Sequence, residues 1–427
     1  MINVLVFPCG SEVGLEVNEA LKRDKHVRLF GLSSVPCHGK FVFDNYIEGI
    51  SFISSDTFID ELNAVIDQYD IDVLIPAYDD VILYLSDNRD KLNCRLVTSG
   101  AETCHVARSK GRTYQKLEGC DFVPRVYSPD EITGSDLPLF AKPDIGQGSQ
   151  GAFRIDTLDD LQVIRDSDEE YLICELLPGK EYTVDCFTDM DGEIISMSMR
   201  SRNRIRNGIS VNTASVPLTD EVRAIGRAIN ERISFDGVWF FQIKKAADGR
   251  FKLLEVAPRV AGSMSLSRVR GFNYILNSVY QTMGVKVSGV EHMLEKIEED
   301  RALSNNYKLF LDYSTVYIDL DDTLIFKDKV NTEAMAFVYQ CVNSGKKVKI
   351  LSRHARREQD TLDKFRIDER LFDEIIHVED EELKSSYIKE KDAIFIDDSF
   401  RERADVSRVN GILVFDIDCI PALTENQ

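Results

Sequence analysis

The stretch Ala141-Lys142-Pro143-Asp144-Ile145-Gly146-Gln147-Gly148-Ser149-Gln150-Gly151 places a lysine at the end of an apolar run and follows it with three glycines among small polar residues. Glycines have no Cβ, so their backbone N–H groups can approach phosphate oxygens, and Lys142 supplies a point charge for the same oxygens. A plain hairpin turn is the alternative. A second group follows the apolar run Val316-Tyr317-Ile318, in Asp319-Leu320-Asp321-Asp322-Thr323-Leu324. Two carboxylates two apart at a strand's end point the same way, and burying them together is costly without a cation. An ordinary acidic turn is the alternative. Glu255 ends a strand close to Arg259, which suits a magnesium ligand facing phosphates or, equally, a structural salt bridge between the two. The run Arg200-Ser201-Arg202-Asn203-Arg204-Ile205-Arg206 is a basic island in an acidic chain. It reads either as a surface edge strand or as an anion site using Arg202 and Arg206, because like charges on one strand face repel unless anions are near.

These residues need elements to hold them. Residues 2–7, 27–31 and 72–76 read as buried strands alternating with helices, which predicts a doubly wound α/β domain over 1–100. The turn Pro8-Cys9-Gly10-Ser11-Glu12-Val13-Gly14 lacks the dinucleotide spacing of glycines, so a nicotinamide cofactor is not expected. Asp79-Asp80 falls at a strand end, where solvated loop acids are the simpler reading. From Ala101 to Gly119 the pattern is helical. Strands are expected at 139–142, 151–155, 171–175, 182–187, 193–200, 238–243 and 251–256, with a hairpin turn at Asp189-Met190-Asp191-Gly192. Residues 286–313 read as a charged helical linker. A fresh α/β pattern then occupies 314–427, with strands at 316–318, 348–352, 374–378 and 393–396 and Lys384 on a helix.

Composition narrows the partners. The chain has 427 residues, too many for one ordinary core. Its 52 basic and 73 acidic residues give a net charge of -21, which disfavours general binding to nucleic acid or anionic membranes. Nine cysteines without a Cys-x-x-Cys pair indicate neither a zinc ribbon nor a disulfide framework, and a reducing cytoplasm is the expected compartment. No apolar run approaches the roughly 20 residues that span a bilayer.

With these residues in view, 101–285 resembles the ATP-grasp superfamily, nearest its carboxylate–amine ligases and the halves of the carbamoyl phosphate synthetase large subunit. The resemblance implies that Lys110 and Lys142 bind phosphates of ATP and that Gly146, Gly148, Ser149 and Gly151 belong to a lid over them. It also implies that Glu175 and Leu177 contact adenine, Glu181 the ribose, and Gln242 and Glu255 magnesium, with manganese an alternative ion. Arg259 matches the arginine that closes the family's Asn-Pro-Arg motif. Ala257 stands where the family usually has a metal-binding asparagine, and its side chain cannot coordinate a cation. In this family ATP phosphorylates a carboxylate and an amine attacks the acyl phosphate, while cationic groups and a closing lid support the transfer.

Residues 314–420 resemble the haloacid dehalogenase (HAD) superfamily through four spaced motifs. The resemblance makes Asp319 the nucleophile that takes a phosphoryl group and Asp321 the general acid and base. It makes Thr323 and Ser352 phosphate holders and Lys384 the balancing cation. Asp319, Asp321, Asp397 and Asp398 form its magnesium set. About thirty residues between Asp319 and Ser352 leave no room for a sizeable cap over this Rossmann-like domain. The expected protein is therefore an α/β and α+β multidomain enzyme, a ligase joined to a magnesium-dependent phosphatase. Its partners would be small-molecule carboxylate, amine and phosphate-ester substrates, with a homodimer as in related ligases. The alternatives are a kinase or carbamoyl-phosphate-type module beside the phosphatase, and a nucleotide-sensing domain that regulates it.

Overall fold

The computed structural model describes all residues except 147, 149, 207, 290–295, 303–306, 308, 310, 355–356 and 425–427. The chain divides into two compact units, Met1–Leu303 and Ser304–Gln427.

The first unit begins with a parallel sheet in the order Asn45–Glu48, Val27–Ser33, Ile2–Phe7, Val73–Pro76, Arg95–Leu96. Its central strand is apolar on both sides because both faces are covered. Val4 and Val6 pack in a cluster that also holds Phe240, Tyr274 and Ile275, whereas Leu5 and Phe7 pack against Phe58 and Leu62. The boundary expected at residue 100 is thus crossed by a continuous core. The strand order reverses between Ile2–Phe7 and Val73–Pro76, and a ligand crevice is expected outside such a point. Helix Glu12–Leu21 starts there, its cap residue Ser11 donating to the Ala77 carbonyl at 2.9 Å and accepting from Gly14.

A six-stranded antiparallel sheet follows, in the order Phe251–Ala257, Gly237–Lys245, Glu181–Thr188, Ile194–Arg206, Ile209–Val216, Glu298–Asp300. A four-stranded antiparallel sheet carries Val126–Tyr127, Tyr171–Glu175, Leu139–Pro143 and Phe153–Ile155 in that order. The charged helix read over 286–313 is corrected: none of its described residues is helical. Glu298–Asp300 instead pairs with Asn212–Ala214, and Asn212 and Arg204 hold the Asp300 carboxylate. An open sheet edge with ready polar partners overrides local helix propensity. The helical stretch expected from Ala101 to Gly119 is two helices, Ala101–Arg108 and Lys110–Lys116, separated at the cap residue Ser109.

The second unit is a parallel sheet in the order Glu374–His377, Lys347–Ser352, Thr315–Ile318, Ala393–Ile396, Leu413–Phe415. The connection after Thr315–Ile318 contains the hairpin Ile325–Phe326 with Lys329–Val330 and the helix Thr332–Asn343. Lys384 sits on a single 3-10 turn, Lys384–Ser386, and not on the longer helix expected. The acids Glu379–Glu382 just before it repel one another at helical spacing, which disfavours additional turns.

Trp239 is fully buried and stacks on Phe235, with ring centroids 4.0 Å apart. Trp239→Ala should lower the stability of the first unit by about 3–5 kcal/mol, read as an earlier transition in denaturant unfolding followed by circular dichroism.

Candidate functional site

The six-stranded sheet builds the first site through its register. Glu255 lies beside Gln242, Gln242 beside Thr183, Thr183 beside Arg200, and Arg200 beside Ser215. Directly opposed residues share a sheet face, and residues two apart on each strand join them. Glu181, Asp185, Arg202 and Lys244 therefore stand on this face too. The face floors a cleft with two ends. Lys142, Glu175, Leu177, Glu181 and Lys244 line one end, with a cavity of about 250 Å³. Asp79, Thr183, Arg200, Arg259 and Ser263 line the other, at about 370 Å³. Lys110, Gly146, Gly148, Arg202, Gln242 and Glu255 border both.

Lys142 donates to the Tyr114 hydroxyl at 2.7 Å and to the Leu254 carbonyl at 3.0 Å. Burial pulls its pKa below the usual lysine value. Lys110 donates to the carbonyls of Pro143 and Asp144, and burial lowers its pKa as well. Asp144, to which the sequence reading gave no role, fastens this corner: one oxygen accepts from Ser109 at 2.7 Å and the other from the Gly111 N–H at 2.6 Å. Gly148 and Gly151 have positive φ, as the glycine stretch requires, and a Cβ on Gly208 would overlap the Gly148 backbone. Ser149 lies outside the described residues. Glu175 accepts from the Arg125 N–H at 2.9 Å, and Glu181 pairs with Arg202 at 2.7 Å.

Three sequence readings change. Asp79 and Asp80 open the helix Asp79–Asp87 and are not loop acids, and only Asp80 is exposed. Asp79 takes a two-point contact from Arg259, and Asp80 pairs with Arg108 at 2.7 Å. Burial raises the Asp79 carboxyl, but Arg259, Arg108 and Lys110 outweigh it and leave the pKa below its ordinary value. Arg259 consequently bonds to Asp79, and Glu255 is left facing the cleft. The arginine run also divides. Register shifts around Arg204 break the alternation, so Arg202 lines the cleft while Arg206 is exposed near the hairpin tip and outside its lining. Arg200, which the sequence reading did not single out, is fully buried and held at 3.0 Å by each oxygen of Asp185, with Ser263 at 2.6 Å. The spacing Glu181, Thr183, Asp185 on one strand was the available signal for this face.

The second unit brings Asp319, Asp397 and Asp398 together, each with an oxygen within 4.8 Å of the others. Lys384 lies 2.8 Å from Asp319 and 2.6 Å from Asp397. Burial, aided by the Asp397 charge, pushes the Asp319 carboxyl up to about 6 despite Lys384. Burial alone would lower the Lys384 ammonium, but the two carboxylates carry it above its ordinary value. The hydroxyl oxygens of Thr323 and Ser352 are buried without hydrogen-bond partners. Asp321, expected in the metal set, stands outside the three-carboxylate group. It contacts the His354 Nδ1 at 2.6 Å, and His354 in turn meets Thr361 at 2.6 Å. An alternating strand-end rule cannot see a histidine that arrives from another strand's loop.

A family model described as ATP-grasp in the biosynthetic pathway with Ter operon matches residues 167–301. Among solved structures, N5-carboxyaminoimidazole synthetase from Staphylococcus aureus, complexed with ADP, is 17% identical with a TM-score of 0.55, covering 67% of this chain and 78% of that one. A biotin carboxylase from Campylobacter jejuni is 14% identical with a TM-score of 0.54, over 67% of this chain and 72% of that one. Pyruvate carboxylase from Rhizobium etli is 15% identical with a TM-score of 0.54, over 67% of this chain but only 30% of its own. Comparison with curated proteins found no match. The matched segment 167–301 lies within the first unit and supports the ATP-grasp superfamily there, while the structural likeness speaks for fold. Among the described residues no helix is long and apolar enough to cross a membrane.

Asp185→Ala would strand the buried Arg200 guanidinium, at a cost of about 3–5 kcal/mol. Thermal unfolding should show this loss, and Asp185→Asn should lose less.

Proposed function

We propose that the first unit is an ATP-dependent, ADP-forming ligase that joins a carboxylate to an amine, and that the second is a HAD-like, magnesium-dependent phosphohydrolase. The convergence of Lys110, Lys142, Glu181, Gln242 and Glu255 on one cleft carries the first half. Their types suit a nucleotide triphosphate: an acid for ribose, two lysines and a glycine loop for phosphates, and an adjacent amide and carboxylate for a cation. Magnesium is commonly held by one or two carboxylates plus substrate phosphates, so Glu255 with Gln242 fits it despite Ala257.

The carboxylate oxygen of the acceptor attacks the γ-phosphorus, and ADP leaves. The amine nitrogen then attacks the acyl carbon, phosphate leaves, and the amine loses a proton. Lys110 and Lys142 offset charge that builds on the phosphoryl oxygens, and the glycine loop keeps water from the acyl phosphate.

In the second unit, three clustered carboxylates, two of them in contact with one ammonium, and two unpartnered hydroxyls fit a hard cation and a phosphate. The cation supplies charge neutralisation at the phosphoryl group. Asp319 attacks phosphorus and Asp321 protonates the departing alkoxide. Asp321 then takes a proton from the water that hydrolyses the aspartyl phosphate, while Lys384 holds the nucleophile's charge. A second reading, a nucleotide sensor in place of a ligase, draws on Ala257 alone. The homodimer is an expectation for light scattering.

ADP release with ATP, magnesium or manganese, and a panel of carboxylates and amines tests the ligase. Turnover should need both acceptors, and release that ignores the amine would favour the sensor. Asp319→Asn should abolish hydrolysis of an aryl phosphate and leave ATP binding intact; surviving hydrolysis would remove Asp319 as nucleophile.

The raised Asp319 pKa also has a sign. Between the ordinary carboxylate range and about pH 6 the folded state holds more protons than the unfolded one. Without a cation, stability of the second unit should fall as pH rises through that window. Magnesium should oppose the loss, raising Tm more at neutral pH than at pH 5.

A further inference from the structure

The end of the cleft lined by Asp79, Thr183 and Arg259 contains two oppositely charged groups that the ligase chemistry above leaves unused. Glu12 begins the first long helix, and Arg301 directly follows the edge strand Glu298–Asp300. Both line the cleft. The Arg301 N–H donates to the Val211 carbonyl at 2.8 Å, which extends the strand pairing and fixes where its side chain departs. Its guanidinium lies 3.3 Å from the Glu12 carboxylate, a contact that both groups make while partly open to solvent. Gly262 lies beside the pair: a Cβ there would stand in ordinary contact, at 3.4 Å, with both the Arg301 Nη1 and a Glu12 oxygen. The next residue, Ser263, accepts from buried Arg200, so the pair is continuous with the sheet row that leads back to Gln242 and Glu255. Along that row the Thr183 hydroxyl is fully buried, lines the cleft and has no hydrogen-bond partner.

The neighbouring arginines are already matched. Arg200 is held by Asp185, Arg259 by Asp79, and Arg202 by Glu181. Glu12 and Arg301 are the pair that a ligand can enter by exchanging one long, exposed contact for two shorter ones. A ligand that carries both an ammonium and a carboxylate satisfies both sides at once, and a guanidinium suits a carboxylate through its two parallel donors.

We propose that Glu12 and Arg301 form a subsite for a zwitterion of the α-amino acid class, with Arg301 on its carboxylate, Glu12 on its ammonium, and Thr183 on a polar group deeper in the cleft. This rests on the ligase reading for its place in a reaction, but not for binding itself. The strand Glu298–Asp300 then becomes part of substrate recognition, because it delivers the selecting arginine.

The test uses the full chain with magnesium and a non-hydrolysable ATP analogue, titrated calorimetrically with the common L-α-amino acids. For any that binds, its α-amide and its decarboxylated amine follow. Wild-type protein should prefer an amino acid over its amide by about tenfold or more, the worth of a hydrogen bond to a charged group. Arg301→Ala should lose that preference while its affinity for the nucleotide analogue stays unchanged. Glu12→Gln should weaken the amino acid and the amine alike. If Arg301→Ala does not fold, Arg301→Lys decides, and it should show a reduced preference. Absence of binding by every amino acid, or an undiminished preference in the folded arginine variant, overturns the subsite. Amino-acid binding here, with no ADP release when that amino acid is assayed with ATP and the panel of second acceptors, would leave the subsite standing and remove the ligase reading.

Discussion

A fully buried guanidinium, Arg200, gripped by both oxygens of Asp185, is the fixed point of the first unit. Removing either partner would leave an uncompensated charge in the interior, so the two strands that carry them have little freedom of register. A slip of one residue would turn every side chain of a strand to the opposite face. The register that keeps Arg200 on Asp185 also sets Thr183, Gln242 and Glu255 in one row and puts Arg202 on Glu181. The cleft's chemistry is thus a by-product of satisfying a buried ion pair within an antiparallel sheet.

The second unit faces the opposite charge problem. Asp319 and Asp397 are buried with Lys384, the ammonium that both carboxylates contact. Here a parallel sheet gathers acids from the ends of adjacent strands, Thr315–Ile318 and Ala393–Ile396. Burial, with the Asp397 charge adding to it, raises the Asp319 carboxyl, where Arg259, Arg108 and Lys110 in the first unit instead hold Asp79 low.

Local pattern revealed much of this. The parallel strands of both α/β sheets, the glycine turn after Lys142 and the hairpin at Asp189–Gly192 follow from apolar runs and turn residues. Lys142 and Glu255 stood out by residue type and strand-end position, Glu181 only through the family resemblance, and all three line one cavity. Other readings failed where a distant partner decided the outcome. Asp79 looked solvated because Arg259, 180 residues away, is invisible to a local reading. The charged segment around Glu298 looked helical because an open edge on Ile209–Val216 cannot be seen from its own composition. Arg206 looked equivalent to Arg202 until register shifts near Arg204 separated them.

Sequence by itself settled which residue types stand at which strand ends, since side-chain alternation and turn chemistry act over a few neighbours. Tertiary structure alone decided which charges neutralise which, and therefore which remain available to a ligand. Pairing energies depend on distance and burial, and both are set by strands that meet only after the chain has folded.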